Sequence, residues 1–135
     1  MSTIEEITKS VNLLKKNKAN FILLQCTSSY PCDPKDINLK VLEYYRKNFD
    51  CLVGYSGHET TANIAPSTVL LGSCCIERHF TLDRSMKGPD HASSLEPDGM
   101  RILVKRSKLL FEAMGNPQKQ VLSSELKNRK KFRGY

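Results

Sequence analysis

Two histidines stand where short apolar runs give way to polar residues: His58 after Cys51–Ser56, and His79 within Cys74–Phe80. Each has a polar residue two positions earlier, Ser56 and Glu77 respectively. Side chains alternate along a strand, so Ser56 and His58 share one face, as do Glu77 and His79. Adjacent parallel strands lie about 4.8 Å apart. Two imidazoles at neighbouring strand ends could therefore hold one divalent cation, with their nitrogens roughly 3–4.5 Å apart. Such a pair leaves coordination positions open for water or a substrate carbonyl. Equally, each histidine could be a hydrogen-bonded residue at a strand end, and spacing alone leaves both readings open. Glu77 divides evenly between a base or metal-orienting group and a carboxylate paired with a lysine. Arg78 has the opposite parity from His79, which makes it a salt-bridge partner facing the helices rather than a phosphate ligand.

Elements that could position these residues follow from the hydrophobic pattern. Ser2 and Glu5 have capping-box spacing, and Ile4, Ile7, Val11 and Leu14 recur at helical intervals. Phe21–Thr27 is a continuous apolar run of the kind buried on both faces of a parallel sheet. Leu39, Leu42 and Tyr45 predict a second helix ending near Asn48, and Cys51–Ser56 a second strand. A helical segment near Thr61–Leu71 contains Pro66, which implies a kink or a late start. Cys74–Phe80 reads as a third strand and Thr81–Glu96 as a long polar loop. Pro97 opens the last helix, Met100, Leu103, Val104, Phe111 and Met114 line one face, and Gly115 closes it. Alternating βα units with apolar strands give an α/β fold with a parallel sheet, either doubly wound or a barrel. No glycine-rich phosphate loop follows the first strand, which argues against a dinucleotide fold. Three strands are also too few for an eight-stranded barrel, so the chain reads as incomplete. Ligands of such folds bind at the carboxyl ends of the strands, here Cys26–Pro31, Tyr55–Glu59 and Glu77–Thr81.

Composition narrows the function classes. The net charge of +7 is concentrated at the end, where Lys127–Arg133 (KNRKKFR) holds five basic residues. A basic tail on a near-balanced body is a solvated terminus or linker, and no aromatic and basic interleaving supports nucleic-acid binding. No apolar run approaches the length of a membrane span, and Met1 opens onto a polar stretch unlike a signal peptide. Five cysteines, most beside strand-like runs and none in a C-x-x-C pair, suggest buried reduced thiols in a cytoplasmic protein.

Four segments, LQCTSSYP (24–31), GYSGHET (54–60), IERHFTLDRSMKGPDHASSLEP (76–97) and GNPQKQ (115–120), closely resemble the sialic acid synthases. The resemblance runs in order from about Phe21 to the C-terminus, and the block from Ile76 to Pro97 is its most specific part. Gly57 in GYSGHE gives an animal-like character, and His91 after Gly88–Pro89–Asp90 favours the sialic or legionaminic branch over the pseudaminic one. The resemblance implies a metal-dependent transferase that condenses phosphoenolpyruvate with N-acetylmannosamine or its 6-phosphate, giving N-acetylneuraminate or its 9-phosphate. It implies Mn²⁺ or Mg²⁺ as cofactor, with His58 and His79 as ligands and a homodimer as the complete enzyme. By the same resemblance Ser56 lies near the phosphate of phosphoenolpyruvate, and Ser28 and Tyr30 belong to the substrate pocket. Glu77 and Asp90 match acidic groups around sugar and metal. The implied fold is part of a TIM (β/α)8 barrel, its last three βα units preceded by one helix. Residues 1–118 would form this barrel portion, and 119–135 a basic linker toward a C-terminal cap domain. A second hypothesis of another class is a catalytically inactive product that at most binds metal or a partner chain.

Overall fold

Thr3 caps the first helix, α1 (Ile4–Lys16): its hydroxyl accepts from the Glu6 amide, and the Glu6 carboxylate accepts from the Thr3 amide at 2.8 Å. The structure, a computed structural model, describes residues 1–135. This capping box lies one residue after the Ser2 and Glu5 pair, because Thr3 is the last extended residue before the helix (ψ 166°). Three strands follow, β1 (Ile22–Cys26), β2 (Leu52–Gly57) and β3 (Ile76–Arg78), parallel throughout and in the spatial order β1-β2-β3. Helix α2 (Lys40–Asn48) connects the first two. The chain is thus an α/β fold with a parallel sheet, as the alternation of apolar strands and amphipathic helices requires.

One face of the sheet is packed. Val53 of β2 joins Val11, Leu42, Tyr45 and Phe49 in one apolar cluster, and Tyr55 joins Cys32, Ile37, Ala65, Leu95 and Leu103 in another. On the opposite face Ile22 and Leu52 are exposed, so the expectation of strands covered on both faces is met on the helix side only. Leu42 is fully buried, and Leu42→Ala is expected to cost about 2–5 kcal/mol, read as a lower urea midpoint with an unchanged slope. Gly54 sits where the strands crowd: a Cβ there would meet Cys75 Sγ at 2.5 Å, Leu24 Cδ2 at 2.6 Å and the Cys75 carbonyl oxygen at 2.8 Å.

Several boundaries differ from the sequence reading for identifiable reasons. The segment near Thr61–Leu71 is a 3₁₀ helix over Ala65–Leu71, because Pro66 lacks an amide and is tolerated only in a first turn. It ends at Gly72, whose φ of +84° is left-handed. β3 is shorter than Cys74–Phe80 because the backbone beyond Arg78 leaves β2 and pairs with Leu95. The Leu95 amide donates to the His79 carbonyl at 2.8 Å, and the Thr81 amide donates to the Leu95 carbonyl at 3.0 Å. This pairing brings the long loop back beside the site. It leads into α3 (Pro97–Met114), which packs on the Ala65–Leu71 turn. Of the apolar stripe on α3, Leu103 is buried, whereas Val104, Phe111 and Met114 remain exposed.

The basic tail is helical, α4 (Leu126–Arg133), with Leu126 and Phe132 exposed. All five cysteines are free thiols, but only Cys32 is buried and Cys74 is exposed, correcting the expectation of buried thiols. Apolar runs here end at turns, and a residue just outside a strand, such as Cys74, keeps its side chain in solvent. No helix is long and apolar enough to cross a membrane.

Candidate functional site

The register of the sheet stacks the polar residues in rows across its open face. Cys26 is opposite Ser56, and Ser56 is opposite Glu77. Within this row the Ser56 hydroxyl donates to Glu77 Oε1 at 2.7 Å. One step further along each strand, His58 and His79 meet edge to face, their ring centroids 5.0 Å apart and their planes at 89°. The parity argument from the sequence therefore holds: both rings lie on one face, at the carboxyl ends of neighbouring strands.

His58 is buried at 4% exposure because the loop after β1 crosses over it. That loop is pinned at both ends to the same residue. The Cys32 amide donates to the His58 carbonyl at 2.9 Å, and His58 Nδ1 lies 2.9 Å from the Thr27 carbonyl oxygen. A carbonyl can only accept, so Nδ1 carries a proton, and in the neutral ring Nε2 holds the lone pair. Metal-binding histidines are fixed in this manner, with the second ring nitrogen donating to a carbonyl or carboxylate. Between its two anchor points the loop lays Tyr30 against both histidines, at centroid distances of 4.3 Å from His58 and 5.7 Å from His79.

The other candidates lie around this centre at different depths. Asp90 Oδ2 is 4.0 Å from His79 Nδ1, beyond hydrogen-bond reach but on the same side of the site. A cavity of about 260 Å³ opens beside them, lined by His79, Phe80, Pro89, Asp90, His91 and Ser94. Ser28 is exposed and comes no nearer than a 3.9 Å contact between its hydroxyl and the Cys26 thiol, which is itself 4.0 Å from His58 Nδ1. Nowhere are three or more His, Cys, Asp and Glu side chains gathered to hold a metal ion. The donors at this site are two imidazoles, one with an oriented free nitrogen. That set fits a divalent cation which keeps water or substrate in its remaining positions.

Glu59 escaped the sequence reading. It lies behind the sheet with 1% of its side chain exposed, in a 3.0 Å ion pair with the fully buried Arg78. Its other carboxylate oxygen accepts from the Tyr55 hydroxyl at 2.9 Å. Burial pushes the Tyr55 phenol well above its ordinary range, and the Glu59 carboxylate adds to the effect. Burial pulls the Arg78 guanidinium down, an effect that the Glu59 charge opposes. Arg78 is the salt-bridge partner its parity implied. Alternation on the hidden face would have found Glu59, since Tyr55, Gly57 and Glu59 share the parity opposite to His58.

A family model described as the NeuB family matches residues 1–119. The chain is 43% identical over 127 residues to N-acetylneuraminate-9-phosphate synthase of Homo sapiens, covering 93% of this chain and 35% of that protein. It is 41% identical over 131 residues to N,N'-diacetyllegionaminic acid synthase of Campylobacter jejuni, covering 95% of this chain and 39% of that one. The crystal structure of the N-acetylneuraminic acid synthetase of Leptospira borgpetersenii, in complex with citrate, superposes with a TM-score of 0.85 at 31% identity. It matches all of this chain and 48% of its own. The chain thus spans well under half the length of the curated relatives it matches.

Proposed function

The chain belongs to the NeuB family, and from that membership we propose that it is the metal-binding part of a sialic acid synthase barrel. The three parallel βα units are the last three of a TIM barrel, with residues 1–118 in the barrel and 119–135 leading away from it. The reaction joins the enol carbon of phosphoenolpyruvate to the aldehyde carbon of N-acetylmannosamine or its 6-phosphate. Water adds at the former enol carbon and phosphate leaves, giving N-acetylneuraminate or its 9-phosphate in the cytoplasm, the complete enzyme acting as a homodimer. The observation that carries this reading is the convergence of His58 and His79 on one face, with Nε2 of His58 left free.

His58 and His79 are the residues that would hold Mn²⁺ or Mg²⁺. When bound there, the cation supplies Lewis acidity toward the sugar's carbonyl oxygen. The Thr27 carbonyl fixes the tautomer of His58, and Asp90 supplies an acidic group beside His79, 4.0 Å from its Nδ1. Glu77, on the same face and hydrogen-bonded to Ser56, would accept the proton of the attacking water, a role that its carboxylate and its face support. Ser56 donates to Glu77 here and would turn toward the phosphate of phosphoenolpyruvate when that ligand is bound. Tyr30, half exposed and laid against both imidazoles, would line the substrate pocket, with Ser28 at its rim.

Three histidines give the test its internal control. Titrating paramagnetic Mn²⁺ into the chain should broaden the imidazole resonances of His58 and His79 at substoichiometric metal. His91, whose Nδ1 is 2.8 Å from the Thr81 hydroxyl, lines the same cavity as His79 and should broaden less than either ligand. Broadening of His91 that exceeds that of His58 or His79 sinks the assignment.

A further inference from the structure

Behind the two histidines lies a second constellation that touches none of the reacting atoms. The Arg78 guanidinium donates to the Glu59 carboxylate at 3.0 Å, to the Thr61 carbonyl at 3.1 Å and to the Ser93 carbonyl at 3.4 Å, and also to the Glu59 carbonyl. One cation thereby ties together the end of β3, the loop that follows His58, and the turn that follows Asp90. Its sequence neighbours matter as much as its bonds. Glu59 is bonded directly to His58, and Arg78 directly to His79. Gly57 completes the device, since a Cβ there would lie 2.6 Å from Glu59 Oε2 and 2.6 Å from the Tyr55 ring. A side chain at position 57 would displace the carboxylate.

Stability gives little reason for burying these charges. A buried ion pair gains little over well-packed apolar residues of similar volume. Arg78 Nε is moreover buried with no hydrogen-bond partner, so the arrangement leaves one donor unsatisfied. What the pair does provide is a fixed offset between two strand ends that otherwise share no hydrogen bond beyond Arg78, because β3 leaves β2 there.

We propose that Glu59 and Arg78 are positioning residues that lock the two histidines at their mutual distance from the opposite side of the sheet. The proposal rests on the reading of His58 and His79 as metal ligands only for its second readout. The first is metal-free: nuclear Overhauser contacts between the His58, His79 and Tyr30 rings in the chain without added cation. The second is Mn²⁺ affinity by calorimetry. Glu59→Gln keeps the side chain's shape and removes its charge, Arg78→Lys keeps the charge but spans fewer acceptors, and Gly57→Ala crowds the carboxylate without deleting it. Val11→Ala, in the cluster under α1, is a comparably destabilising change far from the site.

At a temperature where each variant is folded by circular dichroism, the first three should lose the His58–His79 ring contact and bind Mn²⁺ about 10-fold more weakly. Val11→Ala should keep both. Should Glu59→Gln fail to fold, Gly57→Ala decides. Wild-type contacts and affinity in the position 57, 59 and 78 variants, or equal losses in Val11→Ala, overturn the proposal. Loss of ring contacts in those variants, with no Mn²⁺ binding even by the wild type, upholds the positioning role and removes the metal reading instead.

Discussion

Replacing His58 with Ala is expected to weaken Mn²⁺ binding by more than about 100-fold, and His79→Ala should do the same. Losing a residue that merely orients a ligand costs roughly 10–100-fold in metal affinity, and these are proposed as the ligands themselves. With only two imidazole donors at the centre, neither can compensate for the other. The fold should survive both changes unequally. His79 is a third exposed and its removal leaves little behind, whereas buried His58 bonds the Thr27 carbonyl and its loss frees the loop carrying Tyr30. Near-wild-type unfolding with lost metal binding is therefore the clean signature at position 79. At position 58 a modest stability loss should accompany it. Calorimetric titration alongside urea unfolding separates the two effects, and tight Mn²⁺ binding by either variant contradicts the site.

The 135 residues alone are expected to turn over no substrate, even with Mn²⁺ present. Phosphoenolpyruvate brings a phosphate and a carboxylate, and both need positive partners in a partly dry site. The strand residues on the open face include Ile22, Leu24, Cys26, Ser56 and Glu77, and none is lysine or arginine. Glu77 adds a further negative charge there. Ile22 and Leu52 are exposed on that same face, and β1 is an edge strand, which favours association over an isolated active form. Incubating the chain with Mn²⁺, phosphoenolpyruvate and N-acetylmannosamine or its 6-phosphate, and assaying released phosphate, checks this. Turnover that disappears in His58→Ala would overturn it.

The residues that face the open side of the sheet were legible because one rule governs them. Alternation along the strand, together with parallel pairing, put Ser56 beside Glu77 and His58 beside His79 before any distance was known. The hidden side obeys the same rule, yet Glu59 was passed over. A carboxylate beyond a strand end looks like loop, and its partner Arg78 lies 19 positions away. Local pattern carries no information about which oxygen a guanidinium will reach. β3 was overestimated for a related reason: Phe80 is as apolar as a strand residue, but its backbone had a competing partner in Leu95. The stripe on α3 was read correctly as a pattern. Leu103 and, in part, Met100 find a cover within these residues, whereas Val104, Phe111 and Met114 do not, since periodicity specifies a face but not what packs on it.

The row-by-row alignment of the strands has a consequence for the gene. A three-nucleotide deletion anywhere between Leu52 and His58 would reverse the parity of everything beyond it relative to the strand's start. Either Glu59 would swing onto the open face and the histidine into the apolar layer, or the strand would slip and carry its apolar residues out of that layer. Both results cost the site and the core at once, although reading frame and composition are nearly unchanged. The stretch from Leu82 to Gly88 makes no strand pairing and exposes Leu82 and Met86, so it can absorb the same lesion by changing its path. Length variation in the coding sequence is thus confined by backbone arithmetic to a few windows, and the two histidine codons lie outside them.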